Sequence, residues 1–273
     1  MRPLASQLRS AVAAAVTLGA GALGGGVFAA LGLPAAWISG ALVVSIALAV
    51  AGVRIAVPEW IRFLAFIVLG TSMGTALTPE TFARAATWPV SMACLGASVL
   101  ATMAGGALFL NRVAGWSRET AFWASAPGAF GTVVAMAADT NADLRKVAFA
   151  QALRLFLLVA ALPNVLGAAG LTAGGLPPPP HVSTALGVVI LLAVCVTTGL
   201  GAAWLKVPGG LILGALAGSA ALHATSLSSA VLPQAFIVPA FVVLGASVGV
   251  RFLGTTLGTI RAYFFASLGA FVV

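Results

Sequence analysis

The sequence predicts an all-α polytopic membrane protein with an inverted-topology internal repeat and a re-entrant broken helix in the first repeat. Three observations lead there: a composition that water cannot solvate, apolar segments of spanning length, and two sequence blocks that recur in one register. The chain has 273 residues, of which 61% are hydrophobic and 7% are charged. A soluble domain carries about 25% charged residues, so this chain cannot cover its surface with water-compatible groups. The mean hydropathy of +1.14 agrees. A soluble enzyme, a secreted disulfide scaffold and a disordered regulator are excluded.

A helix needs about 20 apolar residues to cross the hydrocarbon core. Ten segments qualify as candidates: 11–31, 35–53, 60–77, 86–110, 119–138, 146–168, 183–204, 208–224, 232–250 and 259–273. They are dense in Ala, Leu, Val and Gly, without the alternating polarity of a membrane β-barrel. Arg2 and Arg9 ahead of the first segment resemble a signal peptide. The repeat argues instead for a retained first helix, because its counterpart, 183–204, is internal.

The repeat is read from two blocks. LGLPAAWISGAL (31–42) aligns with LKVPGGLILGAL (205–216), a shift of 174 that carries Pro34 to Pro208 and Gly40 to Gly214. FIVLGTSMG (66–74) aligns with FVVLGASVG (241–249), a shift of 175 that carries Gly70 to Gly245 and Gly74 to Gly249. Pro58 maps to Pro233 by the same shift. The expected organisation is a first repeat over 1–166, a Gly/Pro-rich linker over 167–182, and a second repeat over 183–273 that is incomplete at its C-terminus. With this period two full copies need about 350 residues, and the last segment is short for a span, so the sequence is expected to be a partial chain.

Lys and Arg counts choose the topology. If all ten segments cross, with the N-terminus inside, six basic loop residues fall on each side, against the positive-inside rule. If 119–138 instead enters and leaves on one side, every later segment flips. Eleven basic residues then fall inside and Arg84 alone outside. SAPGAFG (125–131) is where such a hairpin would break, because Pro removes a backbone donor and Gly loosens the helix. The first repeat then has five true spans, and the second must run in the opposite direction, an arrangement shared by many secondary transporters.

Several residues in 125–163 could carry chemistry. Backbone freed at Pro127, Gly128 and Gly131 could coordinate a solute or ion, or could be a plain proline kink. Arg154 lies eight residues past Lys146, so it is deep in the helix; it either joins a substrate or structural network with Gln151 or snorkels to the headgroups. Asp139 and Asp143 sit at the cytoplasmic mouth, as a proton or cation relay or as helix caps. Gly70, Gly74, Gly214, Gly245 and Gly249 have the spacing of helix-packing residues. Cys94 and Cys195 are expected as buried apolar residues. His181 and His223 are 42 residues apart, and no metal cluster can be drawn from them.

The net charge is +8, but the basic residues lie singly between apolar runs, without the basic stripe of a nucleic-acid binder. The expected partners are the lipid bilayer and a small solute or ion; self-association stays open, and nucleic acid is not expected. No metal, cofactor or catalytic residue is expected, and the chain is not expected to be an enzyme.

The GLP…GAL block, the VLG…G block and PG…AD…Q..LR…P (127–163) together resemble the bacterial AbrB-type duplicated membrane protein family, also labelled ammonia monooxygenase or AbrB family transcriptional regulator. The resemblance covers essentially the whole chain. The family's PGG stands here as Pro127-Gly128-Ala129, and its usual acidic residue a few positions on stands as Thr132, which argues against a proton-coupling role for this loop. The monooxygenase label would need metal ligands, and the regulator label a DNA-reading element; neither is legible. The resemblance and the repeats together imply a transporter-like protein for a small solute in the bacterial inner (plasma) membrane, with the N-terminus cytoplasmic. The alternative is a membrane sensor or regulatory protein that affects gene expression indirectly.

Overall fold

The computed structural model describes residues 4–33, 36–77, 79, 88–128, 133, 136–137, 140–168, 183–207 and 209–272. Among these all regular structure is helical: α1 (Leu4–Ala30), α2 (Ala36–Val50), α3 (Glu59–Gly74), α4 (Pro89–Arg112), α5 (Arg118–Ser125), α6 (Leu144–Ala168), α7 (Ala185–Trp204), α8 (Gly210–Ala224), α9 (Gln234–Gly249), a 3₁₀ turn at Val250–Phe252, and α10 (Leu257–Val272). Each of the ten apolar segments overlaps one helix. Gly131, Asp139, Pro34, Arg84, His181, Pro208 and nearly all of the linker lie outside the described residues.

Four helical stretches are long and apolar enough to cross a membrane: Ser10–Ala30, Pro89–Arg112, Ala185–Trp204 and Gln234–Phe252. Their outer faces carry large apolar side chains, such as Leu23, Val90, Leu95, Leu100 and Leu186, all exposed. Such a surface is stable only where lipid is the solvent. The protein is a membrane protein. Ala36–Val50, Gly210–Ala224 and Leu257–Val272 are apolar but shorter. A helix of 15 residues such as α2 is about 22 Å long.

The chain forms two compact bodies. Neither is a sequence half: each draws on residues before and after the linker. The first body holds α1–α3 and α7–α9. Its helices approach through glycine, because a missing Cβ lets backbones meet. In the α1/α2 pair a Cβ on Gly40 would land on the Gly24 carbonyl, and one on Gly25 would strike Trp37. In the α7/α8 pair a Cβ on Gly214 would land on the Thr198 carbonyl, and one on Gly199 on the Leu211 carbonyl. Gly209 opens α8 with φ +67°, a left-handed conformation that glycine adopts without a steric penalty.

Between these pairs α3 lies along α8 and α9 along α2. Gly70 faces Ile212 and Ala215, and Gly74 faces Leu216 and Ser219. Rising numbers meet rising numbers, so α3 and α8 run parallel. Gly245 faces Ile38 and Ala41, and Gly249 faces Ser45 and Ile46, so α9 and α2 also run parallel.

Buried polar groups pin this body. The Thr17 hydroxyl donates to the Ala13 carbonyl at 2.6 Å and accepts from the Ala56 amide at 3.0 Å, tying the segment after α2 to α1. The Ser219 hydroxyl donates to the Thr71 carbonyl at 2.8 Å across the α8/α3 contact. His223 places Nδ1 2.8 Å from the Ser219 carbonyl and Nε2 3.1 Å from the Ala230 carbonyl. Cys195 is fully buried beside Ile67 and Leu191. Cys94 corrects an expectation: it is exposed on α4, because that helix turns most of its surface outward.

The second body holds α4, α5, α10 and most of α6. Leu110, Trp116, Ala121, Ala124, Val147 and Ala148 form its core. Tyr263 of α10 packs edge-on against Trp116 and Phe149, at ring separations of 6.1 and 6.0 Å.

Candidate functional site

The 119–138 segment becomes a short helix that stops. The Ser117 side chain caps its start, accepting from the Thr120 amide at 3.3 Å. Eight residues later α5 ends; Ala126 is extended, with φ −60° and ψ 124°. The conformation fits a residue preceding proline, which Pro127 pushes out of the helical region. The path beyond Gly128 lies mostly outside the described residues, with helical backbone at 133 and at 136–137.

A helix end leaves its last carbonyls without partners. Here the α5 end is buried, so partners must come from the protein. Gln151, 3% exposed, donates through Nε2 to the carbonyls of Trp123 (2.9 Å), Ala124 (3.3 Å) and Ala126 (2.8 Å). Arg154 donates to the Ser125 carbonyl at 3.1 Å and to the Ala126 carbonyl at 3.2 Å. It also donates to Gln151 Oε1 at 2.8 Å. The positive guanidinium at the negative end of a helix is electrostatically favourable. Arg154 is thus joined with Gln151 in a hydrogen-bond network at the end of α5.

The break opens onto a cavity of about 420 Å³ in the second body. Arg154, Ser125, Pro127, Thr102 and Ser267 line it, with an apolar wall that includes Leu110, Leu158 and Phe271. The hydroxyls of Ser125 and Ser267 are shielded from water and make no hydrogen bond. Gly106 stands next to Ser125: a Cβ there would lie 3.0 Å from its Oγ.

Of the candidate residues, Pro127 and Arg154 reach this cavity, Gln151 supports its wall, and Gly128 follows in the same break. Gly131 and Asp139 lie outside the described residues. Asp143 has a local role. Its Oδ1 accepts from the amides of Arg145 (3.0 Å) and Lys146 (3.4 Å), capping α6. Its own amide donates to the Thr120 hydroxyl at 2.9 Å, and Lys146 Nζ lies 3.8 Å from its carboxylate. The packing glycines belong to the first body and line neither cavity wall nor break. Among the described residues no three His, Cys, Asp or Glu gather into a metal-sized group.

Sequence reasoning overlooked Ser125 and Ser267. Ser125 sits inside the SAPGAFG motif, where a serine ahead of the break was a usable signal. Ser267 carries none, because only the fold brings α10 to α4 and α5.

The family described as "Transition state regulatory protein AbrB" matches residues 2–75 and 37–273. A protein from Escherichia coli (strain K12) named "Putative regulator AbrB" is 32% identical over 231 residues, which is 82% of this chain and 66% of the relative. The chain thus spans just under two thirds of that relative's length. No solved structure matches. The motifs read from the sequence, the helical architecture and a family match that runs from residue 2 to residue 273 agree, and the chain belongs to the AbrB family.

Proposed function

We propose that this chain is a secondary-transporter-like protein for a small solute. In this reading it lies in the bacterial inner membrane, with a cytoplasmic N-terminus and two repeats of inverted topology. The observation that carries the proposal is the interrupted helix α5, whose open end is held by Arg154 and Gln151 beside a cavity. Broken helices with wet or liganded ends are how transporters place backbone groups against a solute inside the membrane.

Helix packing supports the repeats. A shift of 174 turns Ile38 and Ala41 into Ile212 and Ala215, and a shift of 175 turns Gly70 into Gly245. The contact of Gly70 with Ile212 and Ala215 is thus the counterpart of that of Gly245 with Ile38 and Ala41. Residues 37–75 are matched twice by the family, as a duplicated unit would be. Packing also bears on direction. If every segment crossed, α3 and α8 would run antiparallel. A same-side path between α4 and α6 reverses all later helices and makes them parallel, as they are.

The names of the family and of the relative favour a second reading, a membrane sensor that regulates without transport. Flux separates the two. The protein in proteoliposomes is expected to move a small solute, and a folded Arg154→Gln variant to lose that flux. Unimpaired transport by the folded variant would place the site elsewhere, and solute binding without flux would favour the sensor. Neither reading includes an enzymatic step or a cofactor.

A further inference from the structure

We infer that the cavity beside the α5 break binds a monoanionic organic acid, with its carboxylate on Arg154 and the Ser125 and Ser267 hydroxyls and its apolar body against Leu110, Leu158 and Phe271. The inference rests on the transporter reading, whose solute it assigns to a chemical class.

Charge is the first argument. The described acceptors of Arg154 are neutral, two carbonyls and one amide oxygen. Among the described carboxylates, Glu59 and Asp143 pair with Arg62 and Lys146, and Glu119 lies in the first turn of α5, at the opposite end of that helix from Arg154. The end of α5 offsets only about half a charge, and a poorly compensated cation is costly away from water. A bound monoanion completes the compensation. Described acceptors engage both Nη2 hydrogens and one on Nη1, which leaves one Nη1 hydrogen and the Nε hydrogen, on different edges, so a carboxylate would meet Arg154 through a single charge-assisted bond.

Hydrogen bonding is the second argument. Ser267 is 5% exposed and lines the cavity, yet its hydroxyl has no partner, and the Ser125 hydroxyl has none either. Folded proteins leave few such groups unmatched. Turning either hydroxyl about χ1 onto a bound acceptor breaks no existing bond. Gly106 keeps the space beside Ser125 open.

The wall is the third argument. A cavity of about 420 Å³ falls in the range of small-molecule sites. Its polar groups would serve any anion, but its mainly apolar lining adds burial energy only for a solute with an apolar body, such as the ring of an aromatic acid. A cationic solute would meet Arg154 as a like charge.

The test uses benzoate as probe on the purified protein, read by calorimetry, with benzamide, benzylamine and chloride as comparisons. Benzoate is expected to bind at least about tenfold more tightly than each of the three. Ser267→Ala removes a hydroxyl that supports nothing in the fold, so its melting temperature should be unchanged or higher, while benzoate affinity falls about tenfold. Absent benzoate binding, equal binding of benzamide, benzylamine or chloride, or an unchanged affinity in Ser267→Ala overturns the assignment. Benzoate binding without flux in proteoliposomes keeps the assignment and removes the transporter reading. Flux of a cation without benzoate binding does the reverse.

Discussion

Arg154 Nη2 donates to Gln151 Oε1 at 2.8 Å, and the two side chains, one turn apart on α6, share the carbonyl of Ala126. One helix face thereby finishes the hydrogen bonding of another helix that stops inside the protein. Gln151→Leu keeps the approximate volume and removes the donor to three carbonyls. Leaving buried acceptors unmatched costs about 1–3 kcal/mol each at most. The expected outcome is a clear fall in the thermal midpoint of the purified protein. Gln151→Glu also loses the donors, but its carboxylate would meet the Arg154 guanidinium in place of Oε1, so it should fall less far than Gln151→Leu.

The glycine contacts give paired expectations. Gly70→Ala and Gly245→Ala each push a methyl into the backbone of the facing helix, at the carbonyls of Ile212 and Ile38. Both should destabilise, and by similar amounts, because each methyl would meet a backbone carbonyl equally closely. Gly19→Ala and Gly96→Ala meet nothing within 4 Å. There the helix-forming preference of Ala over Gly acts alone and should stabilise by up to about 1 kcal/mol. Melting curves of the four variants decide the matter; equal losses at all four would show that space around the glycines is irrelevant.

Much of this architecture is readable from the sequence because lipid imposes run length. Helices α1, α4, α7 and α9 follow directly from long apolar stretches, and the interruption near Pro127 follows from its ring chemistry. The site is less legible. Ser125 and Ser267 are 142 positions apart, and no local pattern announces that they share a cavity. Cys94 was misplaced because a hydrophobic run does not say which face meets lipid and which meets protein. The spacing of Asp143 from Asp139 suits a relay and a cap equally, and the amide contact with Thr120, 23 residues away, is one that only the fold creates.

Topology supplies a third expectation. With a same-side path between α4 and α6, a reporter fused after Asp143 should report the cytoplasm and one fused after Gly175 the opposite side. The reversed result, or both on one side, would contradict the direction that the parallel α3/α8 pair supports. The measurement needs no knowledge of the solute.

The cap on α6 makes a final expectation. Asp143 Oδ1 satisfies two open amides at the start of the helix that carries Gln151 and Arg154. Asp143→Ala should cost about 0.5–2 kcal/mol, whereas Asp143→Asn and Asp143→Ser, both good caps, should retain most of the stability. A relay would order these variants differently. None of the three substitutes carries an ionisable carboxyl, so all three would lose flux alike, whatever their stability. Measured side by side, melting temperature and proteoliposome flux separate the roles. Graded stability with flux retained in Asn and Ser fits the cap, while uniform loss of flux at unchanged stability assigns the carboxylate to proton or cation transfer.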